Sequence, residues 1–202
     1  GTARREEEPH MRLARVWRCR PAADPDGDWR EDGARWQRLT RLVAGLGRRH
    51  WRLNLVLVED GEMEDLNARY RGRHEPTDVL SFAYVSASGS RAADLPAGHG
   101  GAHHDLWLVE APNVGGAADG GGATAPADAT AGEVLLAPAH VATLCRRHGR
   151  DLETEFALLV VHGALHVLGW EHADSDERRA MRAVEARILQ QEGLAHPLRE
   201  TR

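Results

Sequence analysis

His162, His166 and His172 stand at a spacing that can bring three imidazoles to one point. The stretch before them, Leu152 to Val160, is almost continuously apolar and free of Gly and Pro, so it reads as the start of a buried helix that runs on through His162 and His166. Residues four apart on a helix share one face about a turn apart, a separation at which two side chains can bind a single metal ion. Gly169 supplies the left-handed residue that stops a helix, and the chain can then turn back to bring His172 to the same place from outside it. Isolated histidines on apolar helices are commonly hydrogen-bonded core residues. Two in register, a helix-stopping Gly and a third within reach are not explained that way. Neutral imidazole suits zinc, and three protein ligands leave a fourth position for water, the pattern of a catalytic rather than a structural site. Water held there ionises with a pKa of about 7, so the expectation is one zinc ion per chain and hydrolytic chemistry.

The spacing His-x-x-x-His-x-x-Gly-x-x-His is also that of the metzincin peptidases, and one residue separates the readings. Those enzymes place a Glu directly after the first His as general base. Here that position is Gly163, which has no side chain to take a proton, and Met181 follows His172 too closely for an independent methionine turn. A zinc metallopeptidase is therefore the second reading, and a metal-containing factor without catalytic activity the third.

A chain of 202 residues suits one domain with a sizeable core. All 26 basic residues are arginine, which excludes lysine Schiff-base chemistry and the phosphate loop that requires a lysine, and with it that class of nucleotide site. The formal net charge of -5 argues against a protein that coats nucleic acid generally, while leaving room for a local basic groove. Cys19 and Cys145 are far apart, so neither a disulfide framework nor a thiolate zinc site is indicated. No apolar leader and no run of roughly 18 apolar residues is present, so a cytoplasmic protein without a membrane segment is expected.

The elements that must position the histidines follow from pattern. Residues 1 to 9 are charged and expected to be disordered, leaving 10 to 202 as a single domain. Met11 to Trp17 reads as a strand, Pro21 to Asp32 as turns, and Ala34 to Leu46 as a helix with arginines on its solvated face. Trp51 to Val58 is a strand, Glu59-Asp60-Gly61 a turn, Glu62 to Tyr70 a helix closed at Arg71-Gly72, and Thr77 to Val85 an extended run. Composition changes at Ser86: residues 86 to 130 are rich in Gly, Ala and Pro and read as a low-complexity insertion, with Leu106 to Val109 its one strand candidate. The pair His103-His104 within it reads as exposed. A strand from Gly132 to Ala137, a helix from Pro138 to Arg147, the histidine helix and a last helix capped by Asp174 or Ser175 and running to Gln191 complete the chain. Alternating helices and strands imply an α/β or α+β domain, a small mixed sheet packed against helices, with the three-histidine site at the end of a buried helix.

Several stretches together resemble the YbeY family of metal-dependent endoribonucleases. They are His162-Gly163-x-Leu165-His166-x-Leu168-Gly169-x-x-His172, the run from Asp176-Glu177 to Met181, Leu66-Asn67-x-x-Tyr70-Arg71-Gly72, and Pro76-Thr77-Asp78-Val79-Leu80-Ser81-Phe82. The resemblance covers about residues 51 to 85 and 131 to 192. It implies a compact α/β fold, zinc on His162, His166 and His172, and cleavage of single-stranded RNA during ribosomal RNA maturation and ribosome quality control, in company with small ribosomal subunit proteins. The family's arginine falls on Arg71, whose guanidinium suits a phosphodiester gaining charge in the transition state. Taken alone, Arg71 could equally be a helix-end residue offsetting the macrodipole. Where the family carries Gly-Asp, this chain has Gly132-Glu133, so Glu133 is the candidate general base, with a longer reach. The attacking group is either metal-bound hydroxide or the ribose 2'-hydroxyl. Thr77 and Ser81 are candidates for holding RNA, and the 86 to 130 segment has no counterpart in the resemblance.

Overall fold

The computed structural model describes residues 13–18, 52–85, 106–110 and 130–197, of which 13–18, 52, 85, 106–110 and 130 by backbone alone. Residues 1 to 9, the turns from Pro21, the helix expected from Ala34 to Leu46, and His103-His104 lie outside the described residues. Among the described residues five strands form one mixed sheet: β1 (Leu13–Arg18), β2 (Arg52–Leu57), β3 (Val79–Val85), β4 (Leu106–Glu110) and β5 (Thr130–Leu136). Their spatial order is β1-β2-β5-β3-β4. The first three in that order run parallel, β3 runs antiparallel to β5, and β4 lies parallel to β3 at the edge. The strand expected at Leu106 to Val109 is that edge strand.

Strand alternation sends successive side chains to opposite faces, and the two faces carry different helices. Leu53, Leu55, Val134 and Leu136 point to the side of helix α3 (Leu152–Val167), while Leu80, Phe82 and Leu135 point to that of helix α1 (Asp60–Arg71). The turn expected at Glu59-Asp60-Gly61 is instead the first turn of α1, because Glu59 occupies the N-cap and its carbonyl accepts from Met63 N at 2.9 Å. Two acids in that turn, Asp60 and Glu62, suit the positive end of a helix. Asp60 also accepts the backbone N–H of His140 at 3.1 Å, which ties α1 to the start of helix α2 (Pro138–His148). At the other end of α1, Tyr70 meets Phe82 edge-on with ring centroids 4.9 Å apart, and the buried Asn67 donates to the Glu75 carbonyl at 2.7 Å. Those two contacts hold the last turn of α1, and with it Arg71, against the loop that leads into β3.

Helix α3 is the centre of the larger core. Asp151 caps it, its carboxylate accepting from Thr154 N at 2.8 Å and from the Thr154 hydroxyl at 2.6 Å. Every residue from Phe156 to Leu168 is buried except His162, so the helix is apolar nearly all round, as the sequence pattern requires of one covered on several sides. It lies against β3, β5, α2 and helix α4 (Ser175–Gln191). Burying the Phe156 side chain completely is worth about 1.5–3 kcal/mol. Close approach of α3 to the sheet depends on Gly163: a Cβ there would lie 2.5 Å from Val134 Cγ1 and 3.0 Å from Ser81 Oγ.

Candidate metal centre and the cavity around it

The C-terminal half of α3 carries His162 and His166 on one face, as their spacing predicts. Leu168 is the C-cap, and Gly169 follows at φ 89°, a value that glycine adopts without strain. The turn closes with Gly169 N donating to His166 O at 2.8 Å and Trp170 N to Leu165 O at 3.0 Å, after which the chain doubles back to His172. The ligand atoms of His162, His166 and His172 all lie within 4.8 Å of one another, with ring centroids 4.6 to 5.3 Å apart.

The hydrogen bonds around the rings determine which nitrogens face inward. His166 Nδ1 lies 2.9 Å from the Trp170 carbonyl, which can only accept, so Nδ1 carries the proton and Nε2 presents a lone pair. His162 Nδ1 lies 2.7 Å from Glu185 Oε1, so in the neutral ring Nδ1 carries the proton and Nε2 faces inward with its lone pair. These two Nε2 atoms stand 3.1 Å apart. Two bare nitrogens at that distance need either a proton or a metal ion between them. Tetrahedral geometry with metal–nitrogen bonds near 2.05 Å puts neighbouring donors about 3.3 Å apart, so this pair has the spacing of two ligands of one metal ion. Burial, reinforced by His162 and His172, depresses His166 to about 2, which keeps its imidazole in the neutral, donating form.

Glu185 on α4 is 3% exposed and grips two histidines, His162 through Oε1 and His196 through Oε2 at 3.0 Å. Burial alone would raise this carboxyl, but the hydrogen bonds from His162 and His196 outweigh it and hold it at about 2. A carboxylate behind a ligating histidine fixes the ring and raises its basicity. Glu185 is thus a positioning residue, and Glu185→Gln should lower affinity for a divalent metal by about 10–100-fold. Titration against a chromophoric chelator reads this directly; unchanged affinity would leave Glu185 a packing role only. No motif in the sequence marks Glu185 or His196 as part of the site. The available signal was a Glu on the stripe Met181, Glu185, Ile188, where helical spacing demands an apolar residue.

The histidines open onto a cavity of about 360 Å³. Arg71, at the last turn of α1, lines it together with Asp78 and Ser81 at the start of β3. Arg71 therefore occupies the helix-end position that offsets the macrodipole and also lines the cavity onto which the three histidines open. Ser81 is 3% exposed, beneath α3. Thr77 is not among the lining residues; its hydroxyl donates to Asp78 Oδ1 at 3.2 Å.

Glu133 is not brought to the site. On β5 it points to the face opposite Val134, which packs against Gly163, and its carboxylate bonds the Tyr84 hydroxyl on the α1 side of the sheet. Burial pushes the Glu133 carboxyl up, and burial with the adjacent Glu133 charge pushes the Tyr84 phenol up. The expectation of a base at Glu133 is corrected by strand parity: lengthening Asp to Glu extends the reach but cannot change the face. Asn54 completes that polar group.

Fold and site together define a small α+β domain with a three-histidine group that can hold a metal, beside an arginine-lined cavity. The family model described as Endoribonuclease YbeY matches residues 34–193, and the chain belongs to that family. A relative named Endoribonuclease YbeY from Heliobacterium modesticaldum is 32% identical over 142 residues, covering 70% of each chain. Another of that name from Paramagnetospirillum magneticum is 32% identical over 148 residues, 73% of this chain and 71% of the relative. A third, from Gloeobacter violaceus, is 34% identical over 137 residues, 68% of this chain and 55% of the relative. No helix among the described residues is long and apolar enough to cross a membrane.

Proposed function

We propose that this chain is a metal-dependent endoribonuclease that cleaves single-stranded RNA, with His162, His166 and His172 holding one zinc ion and Arg71 engaging the scissile phosphate. The observation that carries the reading is the presence of Arg71 in the same cavity as the three histidines, in a member of the endoribonuclease YbeY family. An all-imidazole donor set of three suits zinc with an open position. A zinc ion bound there would supply Lewis acidity and lower the pKa of bound water. The chain's own residues do the rest. Glu185 and the Trp170 carbonyl hold two rings in the donating tautomer, and the Arg71 fork takes up charge growing on the non-bridging oxygens. The carboxylates that line the cavity are committed: Glu185 to its two histidines, and Asp78 to Val79 N at 3.0 Å and the Thr77 hydroxyl.

A peptidase would need its base directly after His162. That position faces Val134 rather than the cavity, at a distance that leaves no room even for a methyl group. In the cell the substrate proposed is ribosomal RNA in the cytoplasm, during maturation and quality control beside small-subunit proteins. The resemblance set out above supports that assignment. The deciding experiment offers zinc-loaded protein a single-stranded RNA, the same strand as DNA, and unfolded casein. Internal cleavage of RNA that chelator abolishes is expected, with casein intact and DNA spared if the 2'-hydroxyl attacks. Casein hydrolysis lost in His162→Ala would place the site with peptidases, and RNA binding without cleavage under any divalent metal would make the chain a binding factor.

A further inference from the structure

Helix α4 brings two more arginines to the cavity, Arg178 and Arg182. Four residues apart, they lie on one face about 6 Å from each other along the axis. Met181, buried in the main core, and Glu185, clamped by His162, anchor that face, so the two guanidinium groups project from a fixed backbone. Both arginines are exposed. Arg179, between them in sequence, points elsewhere and pairs with Asp176. Neither Arg178 nor Arg182 makes a side-chain hydrogen bond or ion pair among the described residues.

The acids nearby are already occupied. Asp174 accepts the backbone N–H groups of Asp176 and Glu177 at 2.8 Å, Glu177 accepts from Ala173 N at 3.1 Å, and Glu185 bridges His162 and His196. The α4 wall therefore presents two guanidinium groups with no carboxylate partner among the described residues, in a chain whose formal net charge is -5. A net-negative protein gains affinity for a polyanion from such a local patch. A cavity of about 360 Å³ is also in the range that encloses a whole drug-sized ligand, more than one phosphate group requires.

We propose that Arg178 and Arg182 form a second phosphate subsite, which binds the RNA backbone next to the phosphate that Arg71 engages, so that the strand crosses the histidine centre between α1 and α4. This rests on the ribonuclease reading above and assigns the two arginines to binding, with Arg71 reserved for the reacting phosphate. Each neutralised phosphate releases counterions, so each arginine adds about 0.7 to the slope of log affinity against log salt for a single strand.

The test measures binding and turnover separately on the zinc-loaded 202-residue chain. Binding is read by fluorescence anisotropy of a 2'-O-methyl strand, confirmed intact on a gel, over a salt series; turnover is read as kcat and KM on RNA. The variant Arg178→Gln/Arg182→Gln should bind more weakly across sequences, lose about 1.4 from the salt slope, and raise KM with kcat unchanged. Arg178→Lys/Arg182→Lys should regain the slope, and Arg179→Gln should match the parent. A Gln double variant with parental affinity and slope, in a protein that cleaves RNA, overturns the subsite and leaves the ribonuclease reading standing. A parent that binds without cleaving, with the slope still lost in the double variant, upholds the subsite and removes the ribonuclease reading. A parent that does not bind RNA removes both.

Discussion

Arg71→Ala should keep its metal and its fold and lose RNA cleavage by about 10²–10³-fold, the cost of removing one preorganised donor from a developing oxyanion. The retained fold follows from the position of the side chain. Arg71 is at the last turn of a helix that is held by its neighbours, Tyr70 on Phe82 and Asn67 on the Glu75 carbonyl, and none of those contacts uses the guanidinium. Its helix-end attraction to the macrodipole is worth only about 0.3–1 kcal/mol. Arg71→Lys should restore part of the rate, because an ammonium supplies the charge without the fork that addresses two oxygens together. The loss should fall on kcat, in contrast to the KM effect expected at Arg178 and Arg182. Wild-type cleavage in Arg71→Ala, checked at saturating RNA, would leave Arg71 as a helix-end residue only.

What could be read from the sequence was what depends on local periodicity. The i, i+4 spacing of His162 and His166 and the stop at Gly169 are properties of one helix and its cap, so they predicted the cluster without knowledge of the fold. The strands and three of the four described helices began and ended near the expected residues for the same reason. The exception was α1, which starts earlier because Glu59 accepts the N–H of Met63 where a Glu-Asp-Gly turn was expected. Sheet order was not legible: β5 enters between β2 and β3, and nothing local in any strand specifies its neighbour. Glu133 was misplaced for a related reason, since the face a strand residue takes is defined by which neighbours are buried on each side. Glu185 lies 23 residues from His162, and only the packing of α4 on α3 joins them.

His166→Ala should take the zinc content of purified protein from about one per chain to almost none, and abolish the RNA cleavage that depends on it. Of the three histidines it is the one most removed from water, at 1% exposure, and burial holds it in the neutral form. Two remaining imidazoles would make a poor site, because His162 and His172 would then have to hold the ion with added water in a pocket shaped for three nitrogens. Stability should change with occupancy. A ligand at a thousandfold excess over its dissociation constant stabilises a fold by about 4.1 kcal/mol. For a domain of this size that corresponds to roughly 10 °C in melting temperature, at about 2–4 °C per kcal/mol. Zinc should therefore raise the melting temperature of the parent protein by about that amount and that of His166→Ala hardly at all. Chelated parent and untreated variant should converge, apart from the Trp170 carbonyl that loses its imidazole donor, a cost of about 0.5–1.5 kcal/mol. Two results would defeat the assignment: full zinc occupancy in His166→Ala by elemental analysis, or a parent whose melting is indifferent to chelator. The first would move the metal elsewhere in the chain, and the second would leave the three histidines a hydrogen-bonded cluster that the fold tolerates without an ion.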